Sequence, residues 1–491
     1  MKSQLALRSS SPWFRLLATF LICVALLAVF FLAETLSAGG APADVRPALL
    51  CLCLLGFSIV SYVAWPSRWN IVAHSQLAFG IVAYIIPLLL LGGGRSVTDE
   101  SLDLYTTIMV VGFSCSVIGT IVGSQLAGRP GNSRVTDAVM IPLTRIRHSI
   151  PHRVVWGALL SIAGLLLAFL VMGFVPALAA DPFAAKFFRG AYAESYAPVA
   201  PLYRATTSAL AVLLPLLTMY AVWRRKPLMI AVFLTSVVLL LLTLQREPAV
   251  SGILLFVGVL VALRTRGMLL YFIGIVAVYF AGSASYFVFA ALGIGNFSAG
   301  VNPVGLLASV AAGAPDVADQ FIFLQAWLKN PIFAHGLTFI GGLVPGNFEW
   351  NPSVWSLAVT NPGADVTTIN SGGYRLPGPL WGYVNLGWVG AAGVGLVFGL
   401  VTGYLAGTVS AIISQQTAST SRNAKYSREA TVLTFIAYAA VVDCLTQFYA
   451  LSYVSVIQTS LLVAIVYLGH NLTLRRRRPF VATVKEADAH P

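Results

Sequence analysis

Residues 154–179 read VVWGALLSIAGLLLAFLVMGFVPALA, an apolar run that contains no charged residue. A membrane-spanning helix needs about 20 consecutive apolar residues, so this run is long enough to cross a bilayer. The rest of the chain is similar in character: of its 491 residues, 58% are hydrophobic and 10% are charged. Soluble domains carry about 25% charged residues, so the composition excludes a soluble fold. The sequence therefore predicts an all-α, polytopic membrane protein.

Apolar runs of spanning length recur along the chain and predict about twelve transmembrane helices. A double-length run near the carboxyl end is divided near Tyr449 and Ser452, and a charged pair followed by Pro248 divides another. The first run exceeds the roughly 7–15 apolar residues of a signal peptide, which favours a retained helix over a cleaved leader. The predicted spans are 14–37, 46–65, 71–91, 104–126, 154–179, 203–223, 227–245, 248–263, 268–290, 380–412, 431–449 and 452–472.

The charge pattern predicts the orientation of these helices. Most of the 30 Lys and Arg residues fall in alternate loops, and basic loops stay on the cytoplasmic side of a membrane. We therefore expect both termini in the cytoplasm, and the net charge of +13 reports topology and does not indicate nucleic acid. The predicted organisation is helices 1–9 in 1–290, a large extracytoplasmic loop in 291–379, helices 10–12 in 380–474 and a basic tail in 475–491.

The loop 291–379 is much longer than an ordinary connection, and loops of that length are usually functional or disordered. Apolar residues at helical spacing, from Val317 to Leu328, predict an amphipathic helix on or near the outer membrane face. Asp316 lies in its first turn, and Asn330 with Pro331 ends it. In the tenth span, small residues recur every four positions and allow close approach of another helix; they are Gly395, Gly399, Gly403 and Gly407.

Few residues in the chain carry recognisable chemistry. The phosphate-binding glycine loop, the HExxH motif and the Gly-x-Ser-x-Gly elbow do not occur in the sequence, which argues against an ATP-driven transporter or a metalloprotease. The five cysteines lie in apolar runs, so neither a zinc site nor a disulfide framework is indicated. Arg246 and Glu247 stand beside the hydrocarbon, either as a functional pair or as a mutually neutralised cap of a helical hairpin.

The remaining candidates lie in or after the large loop. Arg375 stands between glycines and prolines, where its guanidinium either binds phosphate oxygens or snorkels to the membrane interface. The candidate general bases are His335, Glu349 and Asp365, although a lone histidine is more often structural. Asp443, inside a late span, either faces a cavity or bonds a neighbouring helix.

Residues 372–375 read GGYR and residues 380–390 read LWGYVNLGWVG. The pair resembles the Gly-Gly-x-Arg element and the following aromatic-x-Asn-aromatic-Gly helix start of bacterial oligosaccharide repeat-unit polymerases, the O-antigen (Wzy-type) polymerases. Residues 330–336, NPIFAHG, are similar to that family's Asn-Pro-aromatic-x-x-Gly turn, and Arg246 matches an arginine that begins an equivalent helix. The resemblance covers the C-terminal half, whereas the N-terminal half matches in hydropathy only.

The resemblance implies a GT-C-like architecture and a metal-independent glycosyltransferase without a cofactor. Such enzymes join undecaprenyl-diphosphate-linked oligosaccharides at the outer face of the bacterial inner membrane, making O-antigen, capsule or exopolysaccharide, with a chain-length regulator protein as a further partner. By resemblance, Arg246 and Arg375 bind the diphosphate, and the supporting residues are Glu247, Gly373, Tyr374 and Asn385.

Two other classes stay open. One is a ligase that transfers finished polymer to a lipid A core, which has a similar architecture and a different acceptor. The other is a secondary transporter or flippase of lipid-linked sugars. About twelve spans suit that class, whereas the scarcity of charges in broken helices at the membrane midplane does not.

Overall fold

The computed structural model describes residues 44–89, 97–128, 150–244, 246–263, 267–291, 316–344, 348–363, 373–418 and 424–465. Every regular element within these ranges is a helix, as predicted. The helices used below are α1 Val45–Ser58, α2 Ile71–Gly80 with its extensions Ile81–Ile85 and Ile86–Leu89, α3 Asp99–Ala127, α4 Ile150–Met172, α5 Ala200–Arg224, α6 Pro227–Leu242, α7 Arg246–Leu263, α8 Met268–Ala291, α9 Asp316–Lys329, α10 Leu337–Gly341, α11 Pro352–Thr360, α12 Gly378–Ala418, α13 Ala424–Thr446 and α14 Tyr453–Val463.

Within the described residues, 5 stretches are long and apolar enough to cross a membrane, and further apolar helices are shorter. The chain is therefore a multi-pass membrane protein, whereas the count of about twelve spans stays a prediction. The first predicted span, 14–37, lies outside the described residues. The five stretches are Ile71–Leu88, Asp99–Ala127, Ile150–Met172, Ala184–Arg224 and Gly378–Ser414.

Two predicted divisions between adjacent helices have different outcomes. The division near Tyr449 and Ser452 is confirmed, because α13 ends at Thr446 and α14 begins at Tyr453. The other division lies earlier than predicted, since α6 ends at Leu242 and α7 already begins at Arg246. Pro248 does not break the helix there. It lies in the first turn of α7, where a backbone N–H has no intrahelical partner to lose.

The predicted span 380–412 falls within the candidate span Gly378–Ser414, but α12 is not one straight helix, because it is sharply kinked at Leu386 and Gly387. Gly387 has φ 63° and ψ −148°, a conformation open mainly to glycine. The kink separates an entry arm, residues 378–385, from a long arm, residues 388–418.

The two arms of α12 fold back on each other. A Cβ atom built on Gly382 would lie 2.2 Å from the carbonyl oxygen of Gly390. Pro379 and Gly395 both contact Gly112 of α3, although in a straight helix they would be about 24 Å apart. The entry arm therefore begins beside the point that the long arm reaches about two turns after the kink, and the two arms form an antiparallel helical hairpin.

The glycine ladder of α12 packs against α3, as predicted. A Cβ atom at Gly399 would lie 2.0 Å from the carbonyl oxygen of Ser116, and one at Gly403 would lie 2.2 Å from that of Thr120. The contacts advance in the same direction along both helices, so α3 and the long arm run parallel with their backbones in contact. Glycine is required because any side chain would separate the helices.

Arg46 joins the starts of α1 and α3. Its guanidinium bonds Asp44 and Asp99 at 2.8 Å each and Asp103 at 3.1 Å. Hydrogen bonds from Arg46 hold the pKa of Asp44 below its ordinary value. Both helices thus begin at one end of the bundle, which agrees with the assignment of their amino ends to the outer side.

Candidate functional site

The described part of the large loop packs on the bundle through three helices. The predicted amphipathic helix is confirmed as α9, from Asp316 to Lys329. Its apolar side is buried against protein, and its position on or near the outer membrane face stays a prediction. Phe321 meets Tyr105 of α3 at a ring-centroid distance of 5.3 Å, and Phe323 meets Trp355 of α11 at 5.7 Å.

Gln320 of α9 fixes the backbone at Arg375. The Gln320 side chain is buried, accepts a hydrogen bond from the Tyr105 hydroxyl and donates one from Nε2 to the carbonyl oxygen of Arg375 at 2.8 Å. A buried amide needs such partners, because an unsatisfied polar group costs about 1–3 kcal/mol. The Arg375 side chain itself is exposed, so an exposed guanidinium is carried on a fixed backbone.

The residues before Arg375 are held by α11. The N–H of Tyr374 donates to Ser356 Oγ at 3.0 Å. Gly373 has φ 113°, and a Cβ atom there would lie 2.5 Å from Cα of Ser353. Glycine is therefore required at position 373 both for its backbone conformation and for the close approach to α11.

Asn385, at the end of the entry arm, organises the turn that carries His335. Its side chain is fully buried. Oδ1 accepts hydrogen bonds from the Gly336 N–H and the Thr338 hydroxyl, both at 3.0 Å, and Nδ2 donates to the carbonyl oxygen of Trp381 at 2.8 Å. One amide thus joins the entry arm to the segment 334–338.

Backbone bonds complete this junction. The last carbonyl groups of a helix have no partner within it, and the kink leaves those of Val384 and Asn385 in that position. They accept hydrogen bonds from the N–H groups of Ala334 and His335, at 3.1 Å each. His335 adopts φ 49°, which is unfavourable for a non-glycine residue, and its side chain is exposed. The imidazole therefore stands on a fixed, strained backbone.

Arg204 is a further candidate that sequence reasoning missed. Its Nε donates to the Tyr196 hydroxyl at 2.7 Å and its Nη1 donates to the Tyr453 hydroxyl at 2.9 Å. The N–H of Tyr453 donates in turn to the carbonyl oxygen of Gly342, next to α10. The available signal in the sequence was an arginine at the start of the apolar span predicted for residues 203–223.

The start of α7 lies at the same end of the bundle as Arg204. Gly252 packs on Pro215 of α5, and the side chains of Tyr203 and Thr243 share a hydrogen bond. These two contacts make α5 and α7 parallel neighbours, with Arg246 at the first position of α7.

Other predicted residues are more scattered. Glu349 is exposed just before α11, and Asp443 is exposed and accepts a hydrogen bond from Gln447 Nε2 at 2.9 Å. The Arg246 and Glu247 side chains, and Asp365 altogether, lie outside the described residues. The structure thus brings His335 together with Asn385, and ties the Tyr374–Arg375 backbone to α9 and α11.

The described residues hold no group of His, Cys, Asp or Glu that could bind a metal ion. No family model, curated protein or solved structure matches the chain. The features that point to a function are therefore the exposed cation and imidazole, their fixed backbones and the sequence resemblance.

Proposed function

We propose that the chain polymerises polyprenyl-diphosphate-linked oligosaccharide repeat units at the outer face of a bacterial inner membrane. The observation that carries the proposal is that Arg375 and His335 share one design: an exposed functional group on a backbone bonded to buried amides. A fixed backbone reduces the reorganisation that a catalytic group must undergo.

The reaction needs the two kinds of group that these residues supply. The acceptor hydroxyl oxygen forms a bond to the anomeric carbon of the donor sugar while the bond from that carbon to the lipid diphosphate breaks. The acceptor proton passes to a general base, and negative charge builds up on the departing diphosphate. In this proposal Arg375 and Arg246 bind the diphosphate. His335 is the leading base, with Glu349 and Asp365 as alternatives.

The other assigned residues have supporting roles. Gly373 and Tyr374 place Arg375 through their contacts with α11, and Asn385 places His335. Glu247 follows Arg246 and would orient its guanidinium. The proposed partners are the undecaprenyl-diphosphate-linked donor and acceptor, the bilayer and a chain-length regulator protein, and the proposed product is O-antigen, capsule or exopolysaccharide.

The test is reconstitution of the purified protein in liposomes with an undecaprenyl-diphosphate oligosaccharide. We expect a ladder of elongated products on a sugar gel. Arg375→Ala should reduce the rate about 100-fold, the usual loss when one group that stabilises transition-state charge is removed. Arg375→Lys should recover only part of it, because an ammonium group lacks the bidentate fork.

Lys329→Ala is the matched control, because Lys329 is also an exposed cation of the loop, and it should keep the full rate. A normal ladder from Arg375→Ala would overturn the assignment of Arg375. Transfer of preformed polymer to lipid A core without elongation would favour the ligase, and movement of lipid-linked sugar between leaflets without glycosyl transfer would favour the flippase.

A further inference from the structure

The segment 331–344 exposes an unusual amount of apolar surface for an extramembrane loop. Between Asn330 and Phe348 the sequence contains no Lys, Arg, Asp or Glu. Ile340 is 60% exposed, and the others are more than a third exposed. We call these side chains the apolar edge: Ile332, Phe333, Leu337, Ile340, Leu343 and Val344.

The apolar edge is held in an orientation that points away from the rest of the protein. Leu337, Ile340 and Val344 follow helical spacing and share one face of α10 and the turn after it. Gly342, on the opposite face, and Gly341, beside the apolar face, both lie against protein: a Cβ atom at Gly341 would lie 2.0 Å from the carbonyl oxygen of Trp350, and one at Gly342 would lie 2.2 Å from that of Leu451. The two glycines let the backbone approach so closely that α10 cannot rotate its apolar face inward.

Main-chain bonds fix the depth of α10 in the molecule. The N–H of Leu451 donates to the carbonyl oxygen of Phe339 at 3.0 Å, and the N–H of Tyr453 donates to that of Gly342 at 2.9 Å. Leu451 lies in the connection between α13 and α14, and Tyr453 begins α14. The segment therefore sits at the level where these two apolar helices meet, not above the bundle in bulk water.

The apolar edge is flanked on both sides by exposed apolar residues of other helices. On one side, Phe333 lies 4.0 Å from the position of a Cβ atom at Gly387, and Val389, just after the kink, is 80% exposed. On the other side, α14 exposes Val456 and Ile457. Val389, Val456 and Ile457 belong to apolar helices of a multi-pass membrane protein, so we expect hydrocarbon beside both ends of the apolar edge.

We propose that the apolar edge inserts into the leaflet of the bilayer on the loop side, with acyl chains as its occupant. Exposed contiguous apolar surface of this kind usually marks an interaction site, and its burial is favourable by about 25 cal/mol per Å². The edge carries no formal charge to oppose entry. His335 lies within the same segment, so insertion holds its imidazole at headgroup depth. That this depth would bring the imidazole close to a lipid-linked diphosphate rests on the proposed function. The insertion of the apolar edge does not rest on it.

The test is depth measurement by electron paramagnetic resonance with nitroxide labels on single cysteines. The chain, with its native cysteines replaced, is reconstituted in phosphatidylethanolamine–phosphatidylglycerol liposomes. Ile340→Cys reports the apolar edge, Val389→Cys is the lipid-facing reference, and Lys329→Cys and Asn361→Cys are exposed polar references in the same loop. Oxygen concentrates in hydrocarbon, whereas a nickel chelate stays in water.

We expect the oxygen-to-nickel collision ratio at position 340 to resemble that at 389 and to exceed that at 329 and 361 severalfold. A ratio at 340 equal to those polar references would overturn the proposal. Low collision with both reagents and an immobile label would also overturn it, because a protein partner or a second copy would then cover the edge. If replacement of all native cysteines unfolds the chain, Leu337→Cys with only Cys23 and Cys115 replaced gives a second readout, since Cys51, Cys53 and Cys444 are buried. The measurement needs no substrate, so its failure is separate from failure of the polymerase proposal.

Discussion

At the scale of single residues, the strongest functional signal is His335, where an exposed imidazole occupies a left-handed backbone position. A non-glycine residue costs about 1–2 kcal/mol in that conformation. Three nearby bonds hold it: its own N–H to the Asn385 carbonyl oxygen, and two from Gly336 and Thr338 to the Asn385 amide. Strain that surrounding structure maintains is common at functional sites.

Substitution of His335 by Gly separates the effect of this residue on stability from its proposed role as a general base. Glycine relieves the unfavourable φ of 49°, and the exposed imidazole contributes little packing. We expect His335→Gly to melt in detergent at the same temperature as wild type or higher. The rate at which elongated products form should fall about 100-fold or more, because a general base is lost.

The matched control is Arg225→Gly. Arg225 is also exposed and has φ 48°, but the charge pattern assigns it to the cytoplasmic side. It should gain the same stability and keep full activity. If His335→Gly polymerises normally, the base must be sought at Glu349 or Asp365.

At the scale of elements, α12 depends on glycine in two different ways. The ladder glycines provide contact with α3, whereas Gly387 provides the conformation of the kink. The ladder was readable from the sequence because its period of four places every member on one face of a helix. The kink could not be predicted from the sequence, because the apolar run continues through Leu386 and Gly387. Hydropathy does not indicate which glycine adopts a positive φ.

The packing role of the ladder can be measured with paired substitutions. Gly399→Ala places a methyl group 2.0 Å from the Ser116 carbonyl oxygen, so α3 and α12 must separate, at a cost of about 1–3 kcal/mol. Gly393 has no atom within 4 Å of a built Cβ atom, so Gly393→Ala should be neutral or stabilising by up to about 1 kcal/mol. The thermal unfolding temperature in detergent should therefore fall for Gly399→Ala and stay unchanged or rise for Gly393→Ala, and an equal effect at both positions would contradict the close helix contact.

At the scale of the whole molecule, the sequence predicted membrane character, most helix positions and the start and end of α9. It missed two tertiary features of the candidate site. The role of Asn385 requires a contact with Gly336, 49 residues earlier, which no local pattern encodes. Arg204 carried no specific signal in the sequence, because an arginine at the end of an apolar run looks the same whether it faces water or tyrosine hydroxyls.

Sidedness is the whole-molecule prediction that most needs testing. In intact cells permeable only at the outer membrane, a membrane-impermeant maleimide should label Lys329→Cys and should not label Lys226→Cys until the inner membrane is opened. Both lysines are exposed, so access to the reagent depends on the side of the membrane and not on burial. The reverse pattern would place the loop, and the proposed chemistry, in the cytoplasm.

The junction between residues 334–338 and the entry arm also sets an order of assembly. Ribosomes deliver the chain from the amino end, and early segments fold first where they can. The amides of Ala334 and His335 and the hydroxyl of Thr338 find their partners only at Val384 and Asn385. After translocation, the loop therefore cannot complete its fold until the hairpin that follows it has entered the membrane. A nascent chain arrested before residue 384 should be the stage most open to proteolysis and to capture by chaperones.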